Sequence, residues 1–284
     1  MPSAPMQSLT ANSQPGEGLV VGGLDIHVLA QALGVPVFQT PWHMPQYELG
    51  EQGAWRLLRG GMGLDRGYYS GSCVYGASTA LLRQNAQGGW DTWMSLSPFE
   101  IESQELACRH AHGHTVVMGL GMGWVTANIA LNPSVERVTV VERDPEVIAL
   151  FQRMQVLEGL QADVAAKIHI VQADALQWRP APQQPVDFLY ADIWLQLAEP
   201  QALAEVRQMQ ANVQASLLYF WGQEWVLAGP LQALWGSPAW ADALAQALAD
   251  TRLPLLSAVD GGFAPWVERI WRERLARTPA SSIR

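Results

Sequence analysis

The segment Val116-Val-Met-Gly-Leu-Gly-Met-Gly-Trp124 constrains this chain more than any other. An apolar run passes directly into glycines at 119, 121 and 123, and a helix-forming stretch follows at once. Glycine tolerates a tight turn and lets a ligand approach the backbone closely. The N–H groups that open the following helix then face any polar or anionic group lying beyond the strand. Alone, such a turn is also a common structural device, so the rest of the chain has to decide its meaning.

The surrounding pattern is strand, helix, strand. TVVMGL (115–120), RVTVVE (137–142), KIHIVQA (167–173), VDFLYAD (186–192) and ASLLYFW (215–221) read as strands. Helices are expected over 123–132, from the Asp144-Pro145-Glu146 cap to about 159, and over 199–211, 238–250 and 264–277. Apolar strands alternating with amphipathic helices predict a Rossmann-like α/β fold, a mainly parallel sheet with helices on both faces. Upstream, Ser97 can cap a helix, Pro98 suits its first turn, and Glu100 completes a capping box. That helix should run to about His112. Residues 24–33 have helical spacing and stop at Gly34, and 47–82 mix short apolar runs with glycine breaks. Residues 78–95 read as a hairpin around NAQGG. The chain therefore divides into a disordered tail over 1–19, a small strand-rich N-terminal module over 20–96, and the α/β domain over 97–284.

Composition narrows the function. Net charge is −9, and no lysine- or arginine-rich run offsets it. A phosphate backbone needs clustered cations, so nucleic acid is not an expected partner. A small molecule fits better, and a cationic or aromatic one best. Only Cys73 and Cys108 are present, so there is no disulfide framework. The N-terminus has neither the cationic start nor the apolar core of a secretory signal. The apolar stretch 215–236 is interrupted by Gln223, Glu224 and Gly229-Pro230, short of the ~20 residues of a membrane span. A cytoplasmic protein without membrane contact is expected.

Two acids extend the glycine turn into a nucleotide site. Glu142 ends the strand after the turn, where a carboxylate can accept from two ribose hydroxyls. Asp174, in Val171-Gln-Ala-Asp-Ala175, ends the next strand and can accept from an exocyclic adenine amine. Its alternative is a helix cap. The dinucleotide fingerprint would place a third glycine at 124, but Trp124 is there. The Gly-Lys-Ser/Thr of a phosphate-binding loop is absent. Both point away from NAD and ATP.

VVMGLGMGW, VTVVERDPEVI, IVQADA and VDFLYAD, in that order, resemble the motifs of class I S-adenosylmethionine-dependent methyltransferases, and still more those of the spermidine synthase-like branch. The likeness covers about 100–192. It implies that Gly119, Gly121 and Gly123 hold the methionine part of S-adenosylmethionine or its decarboxylated form, Glu142 the ribose, and Asp174 with Ala175 the adenine. Polyamine synthases also carry a strand-rich module before this domain, assemble as dimers or tetramers, and place an aromatic-[His/Gln]-Glu element on the intervening helix. Here that element is Ser103-Gln104-Glu105, which makes Gln104 a substrate-binding candidate. Their D-S-S-D-P at the fourth strand end is Asp192-Ile-Trp-Leu-Gln here. Asp192 keeps the first acid, and Leu195 replaces the second. That replacement turns the expectation from aminopropyl transfer towards methyl transfer to a small molecule. A catalytically silent nucleotide-binding protein on the same fold is the third alternative.

Asp192 is the catalytic candidate, because a strand's C-terminal end faces the ligand crevice of an open α/β sheet. Trp194, Tyr219, Trp221 and Trp225 cluster around it in sequence, and Trp194 in particular could wall a cationic or aromatic substrate. Glu199 and Glu205 read as solvated helix positions. Cys108, His110, His112 and His114 alternate, but at a helix end they share no face, so no metal site is expected. The resemblance also makes a homodimer a natural assembly.

Overall fold

The computed structural model describes residues 20–21 and 24–275. The tail expected over 1–19 lies outside the described residues. Strands β1 (Val20–Val21) and β2 (Leu24–Asp25) pair antiparallel and lead into α1 (Ile26–Leu33). Asp25 caps α1, and Gly34 ends it in the left-handed region at φ 66°. Six short strands follow: β3 (Gly50–Gln52), β4 (Trp55–Arg59), β5 (Gly63–Arg66), β6 (Ser72–Tyr75), β7 (Thr79–Gln84) and β8 (Trp90–Ser95). They form an antiparallel sheet in the order β3-β4-β7-β8 and a separate β5-β6 ribbon.

The hairpin expected over 78–95 is β7–β8. Asn85 Oδ1 accepts from the Gly89 and Gln87 N–H groups and shapes its loop. The register slips between Leu81↔Met94 and Leu82↔Thr92, which leaves Trp93 as the extra residue of a bulge.

Helix α2 (Pro98–His110) begins as expected at Ser97, whose Oγ accepts from Glu100 N at 3.4 Å. The reciprocal half of the capping box is not made. The Glu100 carboxylate instead takes the Ser95 N–H at the end of β8.

The second half alternates as β9 (Gly113–Met118), α3 (Trp124–Leu131), β10 (Val135–Glu142), α4 (Pro145–Arg153), α5 (Ala162–Ala165), β11 (Ile168–Gln172) and β12 (Phe188–Ala191). Then come α6 (Ala202–Val213), β13 (Leu217–Phe220), α7 (Gln223–Ala228), a 3-10 turn (Gly229–Leu234), α8 (Trp240–Thr251) and α9 (Phe263–Leu275). The five strands lie in the order β11-β10-β9-β12-β13, and every pairing is parallel. The fold is the expected Rossmann-like α/β sheet with an antiparallel module before it. From β9 the chain first builds outward through β10 and β11, then returns to add β12 and β13 on the other side. A crevice opens at such a reversal, beyond the C-terminal ends of β9 and β12.

The central strands are apolar because both faces are covered. Val116, Val117, Val138, Val140, Leu189, Tyr190, Leu218 and Tyr219 are buried. Each large apolar side chain so buried contributes about 1.5–3 kcal/mol. The same cluster takes in Trp55, Leu57 and Leu81 of the N-terminal strands and Tyr68 of the loop between β5 and β6. Polar bonds then fix the small sheet on α4. Trp55 Nε1 donates to Asp144 Oδ2 at 2.8 Å, Ala54 N to Glu146 Oε2 at 2.9 Å, and Arg153 to the Glu51 carbonyl at 2.8 Å. No helix among the described residues is long and apolar enough to cross a membrane.

Candidate functional site

A cavity of about 330 Å³ occupies the crevice at the β9/β12 reversal. The parallel sheet supplies its floor through the glycine turn after β9, Glu142, Asp174 and Asp192. The antiparallel sheet supplies its roof through Trp55, Arg83, Trp93 and Met94. Every residue that the sequence singles out for a site lines this one space: Gly119, Gly121, Gly123, Glu142, Asp174, Ala175, Asp192, Gln104 and Trp194.

The glycine turn is also demanded by the protein's own packing. Gly119 has φ 100°, and a Cβ there would lie 2.1 Å from the Asp192 carbonyl oxygen. At Gly123, with φ 73°, it would strike the Phe151 ring of α4 at 2.2 Å. These two glycines admit the residue after β12 and the flank of α4, and both border the cavity. Ahead of α3, the Met122 N–H points to the Met94 sulfur at 3.3 Å. A thioether is a weak acceptor, so this N–H is held only lightly.

Glu142 is pinned by two backbone donors, Leu120 N at 3.0 Å and Asp144 N at 2.8 Å, one to each oxygen. Each carboxylate oxygen keeps a second lone pair for another donor. Asp174 braces the turn over 175–177, where no helix follows for it to cap, and is also a wall. Its Oδ1 accepts from Leu176 N at 2.8 Å and its Oδ2 from Gln177 Nε2 at 3.3 Å, while the residue still borders the cavity.

Asp192 follows β12 directly. Its Oδ2 accepts from Tyr190 Oη at 3.3 Å and from Gln104 Nε2 at 3.5 Å, both long contacts. Burial pushes its carboxyl up to about 7, and the Tyr190 bond only partly offsets that. Glu100 sits one helical turn before Gln104 on α2 and lines the same cavity. Burial pushes Glu100 up to about 8, against the pull of the Ser95 N–H and with the Asp192 charge adding to the rise. Sequence reading assigned Glu100 only a capping role. The available signal was its i, i+4 relation to Gln104, which puts both on one helix face.

Glu205 is a second correction. It borders the cavity and accepts the Trp194 indole N–H, so it is not a solvated helix position. Chain folding between a loop tryptophan and α6 makes this pair, and no sequence period announces it. Trp194 and Trp221 both line the cavity, but Tyr219 and Trp225 do not. Tyr219 turns its hydroxyl to the buried Glu224, and Trp225 stacks on Trp271 at 5.3 Å. Ser103 accepts the Trp221 Nε1–H at 2.8 Å, so the small side chain leaves room for an indole from β13's end. Glu105 faces away, to Tyr69 Oη and Arg109, both at 2.7 Å. Leu195 is 45% exposed and stands outside the cavity. Among the described residues no group of His, Cys, Asp and Glu is arranged to hold a metal ion.

No family model and no curated protein matches the chain. Solved structures do. A glycopeptide N-methyltransferase, MtfA, complexed with S-adenosyl-L-homocysteine shares 24% identity over 40% of this chain and 42% of its own, with a TM-score of 0.31. The 23S rRNA methyltransferase ErmE shares 20% over 42% and 44%, with a TM-score of 0.32. The N-methyltransferase NodS of Bradyrhizobium japonicum WM9, also complexed with S-adenosyl-L-homocysteine, shares 19% over 42% and 58%, with a TM-score of 0.31. The chain therefore spans less than two thirds of each of these proteins.

Proposed function

We propose that this protein is an S-adenosylmethionine-dependent methyltransferase whose acceptor is a basic nitrogen on a small molecule. The observation that carries the reading is the meeting of four features in one cavity: the glycine turn, Glu142, Asp174 and the half-buried Asp192. The donor set fits the cofactor. Glu142 retains lone pairs for two ribose hydroxyls, Asp174 can accept from the adenine amine beside Ala175, and the weakly held N–H before α3 suits a carboxylate. The cofactor supplies an already activated methyl group, so the protein's task is alignment and proton handling. Gln104 and Tyr190 orient Asp192, and Asp192 takes the proton that the acceptor nitrogen must lose. The acids of the cavity and its indole walls at Trp194 and Trp221 favour a cation, and the net charge of −9 opposes a polyanionic acceptor.

Calorimetric titration with S-adenosylmethionine, its decarboxylated form, S-adenosylhomocysteine and NAD tests this. Micromolar binding of the two carboxylated adenosyl ligands, and of neither other ligand, is expected. Preference for the decarboxylated form would reassign the protein to aminopropyl transfer. Failure of all adenosyl ligands would refute the site. Asp192→Asn should retain S-adenosylhomocysteine affinity within a few-fold while turnover falls at least a hundredfold.

A further inference from the structure

Leu195 is exposed and stands outside the cavity. The cavity wall holds another half-buried carboxyl besides Asp192, that of Glu100. Glu100 and Gln104 share one face of α2, a turn apart, and Gln104 reaches the Asp192 carboxylate. In each acid one oxygen is occupied and the other is open. Glu100 Oε2 takes the Ser95 N–H, and Asp192 Oδ2 takes Tyr190 and Gln104. Glu100 Oε1 and Asp192 Oδ1 accept no hydrogen bond among the described residues. Neither is one of the sealed, unpartnered polar atoms of the described interior, and both residues line the cavity. A cap for the Ser95 N–H needs only an amide oxygen, so capping alone does not explain a charge placed in this wall.

We propose that Glu100 is the second carboxylate of the reacting centre, forming with Asp192 a two-acid seat for a protonated amine. This rests on the reading of methyl transfer to nitrogen. Burial raises both carboxyls, and the Asp192 charge raises Glu100 further, so the pair holds a proton that an arriving cation can displace. An ammonium displaces that proton, and both acids then carry charge against it. To react, the nitrogen gives one proton to Asp192, forming O–H and freeing its lone pair. The N–C bond then forms as the S–C bond breaks, with the bonding electrons going to sulfur. Glu100 stays ionised throughout and holds the nitrogen, cationic both before deprotonation and after methylation. The net release is one proton per methyl transferred.

The test uses the full chain with S-adenosylhomocysteine present, and phenethylamine as probe against neutral 2-phenylethanol. Calorimetry at pH 7.5 in buffers of different ionisation enthalpy should show proton release with the amine and none with the alcohol. In Glu100→Gln, whose amide oxygen keeps the Ser95 bond, amine affinity should fall at least tenfold and proton release should shrink. S-adenosylhomocysteine affinity should be unchanged. Asp192→Asn should shrink proton release as well. Wild-type amine affinity and proton release in Glu100→Gln, or no amine binding by the wild type, would overturn the proposal. Because S-adenosylhomocysteine is titrated separately on each sample, failure of the cofactor reading shows up independently of the amine result.

Discussion

A change in a single proton at Asp192 alters what the cavity can do. Burial pushes its carboxyl up to about 7, so near neutrality it is divided between a form that accepts a proton and one that cannot. As the base it must be ionised. We expect kcat/KM to rise with pH through about 7 and then level, for an acceptor whose own ionisation lies well outside that range. A pH–rate profile that is flat from 6 to 8 would remove Asp192 from this role. At this scale the sequence was informative where a residue's place follows from its own strand. Glu142, Asp174 and Asp192 are all strand-end acids, and parallel strands bring their C-terminal ends together. It was uninformative for Glu100 and Glu205. Their importance comes from α2 and α6 packing over the crevice, which local spacing does not record. Nor does local spacing record the neighbours that also demand these glycines, the Asp192 carbonyl for Gly119 and Phe151 for Gly123, which are remote in sequence.

The antiparallel sheet is the element that makes the crevice a cavity. Its strands are short, and the bulge at Trp93 places Trp93 and Met94 in the roof. Its hold on α4 depends on the Trp55–Asp144 bond, which also ties the roof to the residue two after Glu142. Trp55→Phe keeps an aromatic ring but removes the donor and the pyrrole half of a buried indole. We expect a loss of about 2–3 kcal/mol in urea unfolding and a several-fold weaker adenosyl ligand. Unchanged ligand affinity would mean that the roof is held by packing alone. The continuous apolar runs of β9 to β12, and α3 opening directly after the glycine turn, were legible. The expected helix from Asp144 to about 159 stops at Arg153, where Met154 and Gln155, at φ 56°, leave the helical path. Helix α7 was hidden because Gln223 and Glu224, polar in sequence, are buried, with Glu224 accepting from Tyr68, Tyr219 and Trp266.

Across the described residues, one apolar cluster joins roof, sheet and C-terminal helices, while a pair of half-buried acids lies within the same body. The pair has a thermodynamic signature. Both carboxyls lie higher in the folded protein, about 8 for Glu100 and about 7 for Asp192, than their ordinary values of 4.5 and 3.8. The folded state therefore binds protons more tightly than the unfolded one. Their contribution to stability is full below about pH 4 and is lost as pH rises through 7 to 8. Relative to the wild type, the Glu100→Gln/Asp192→Asn double variant should gain stability as pH goes from 5 to 8, read as a shift in urea midpoint. A constant difference would show that the two groups titrate normally.

Of the thirteen tryptophans, Trp55, Trp93, Trp124, Trp194 and Trp221 border the cavity. Indole emission responds to the polarity and the quenchers around the ring. A molecule entering this space displaces water from several of these rings at once. The protein thus carries its own optical gauge of occupancy, and a change in intrinsic emission on titration would report filling of the crevice before any product can be assayed.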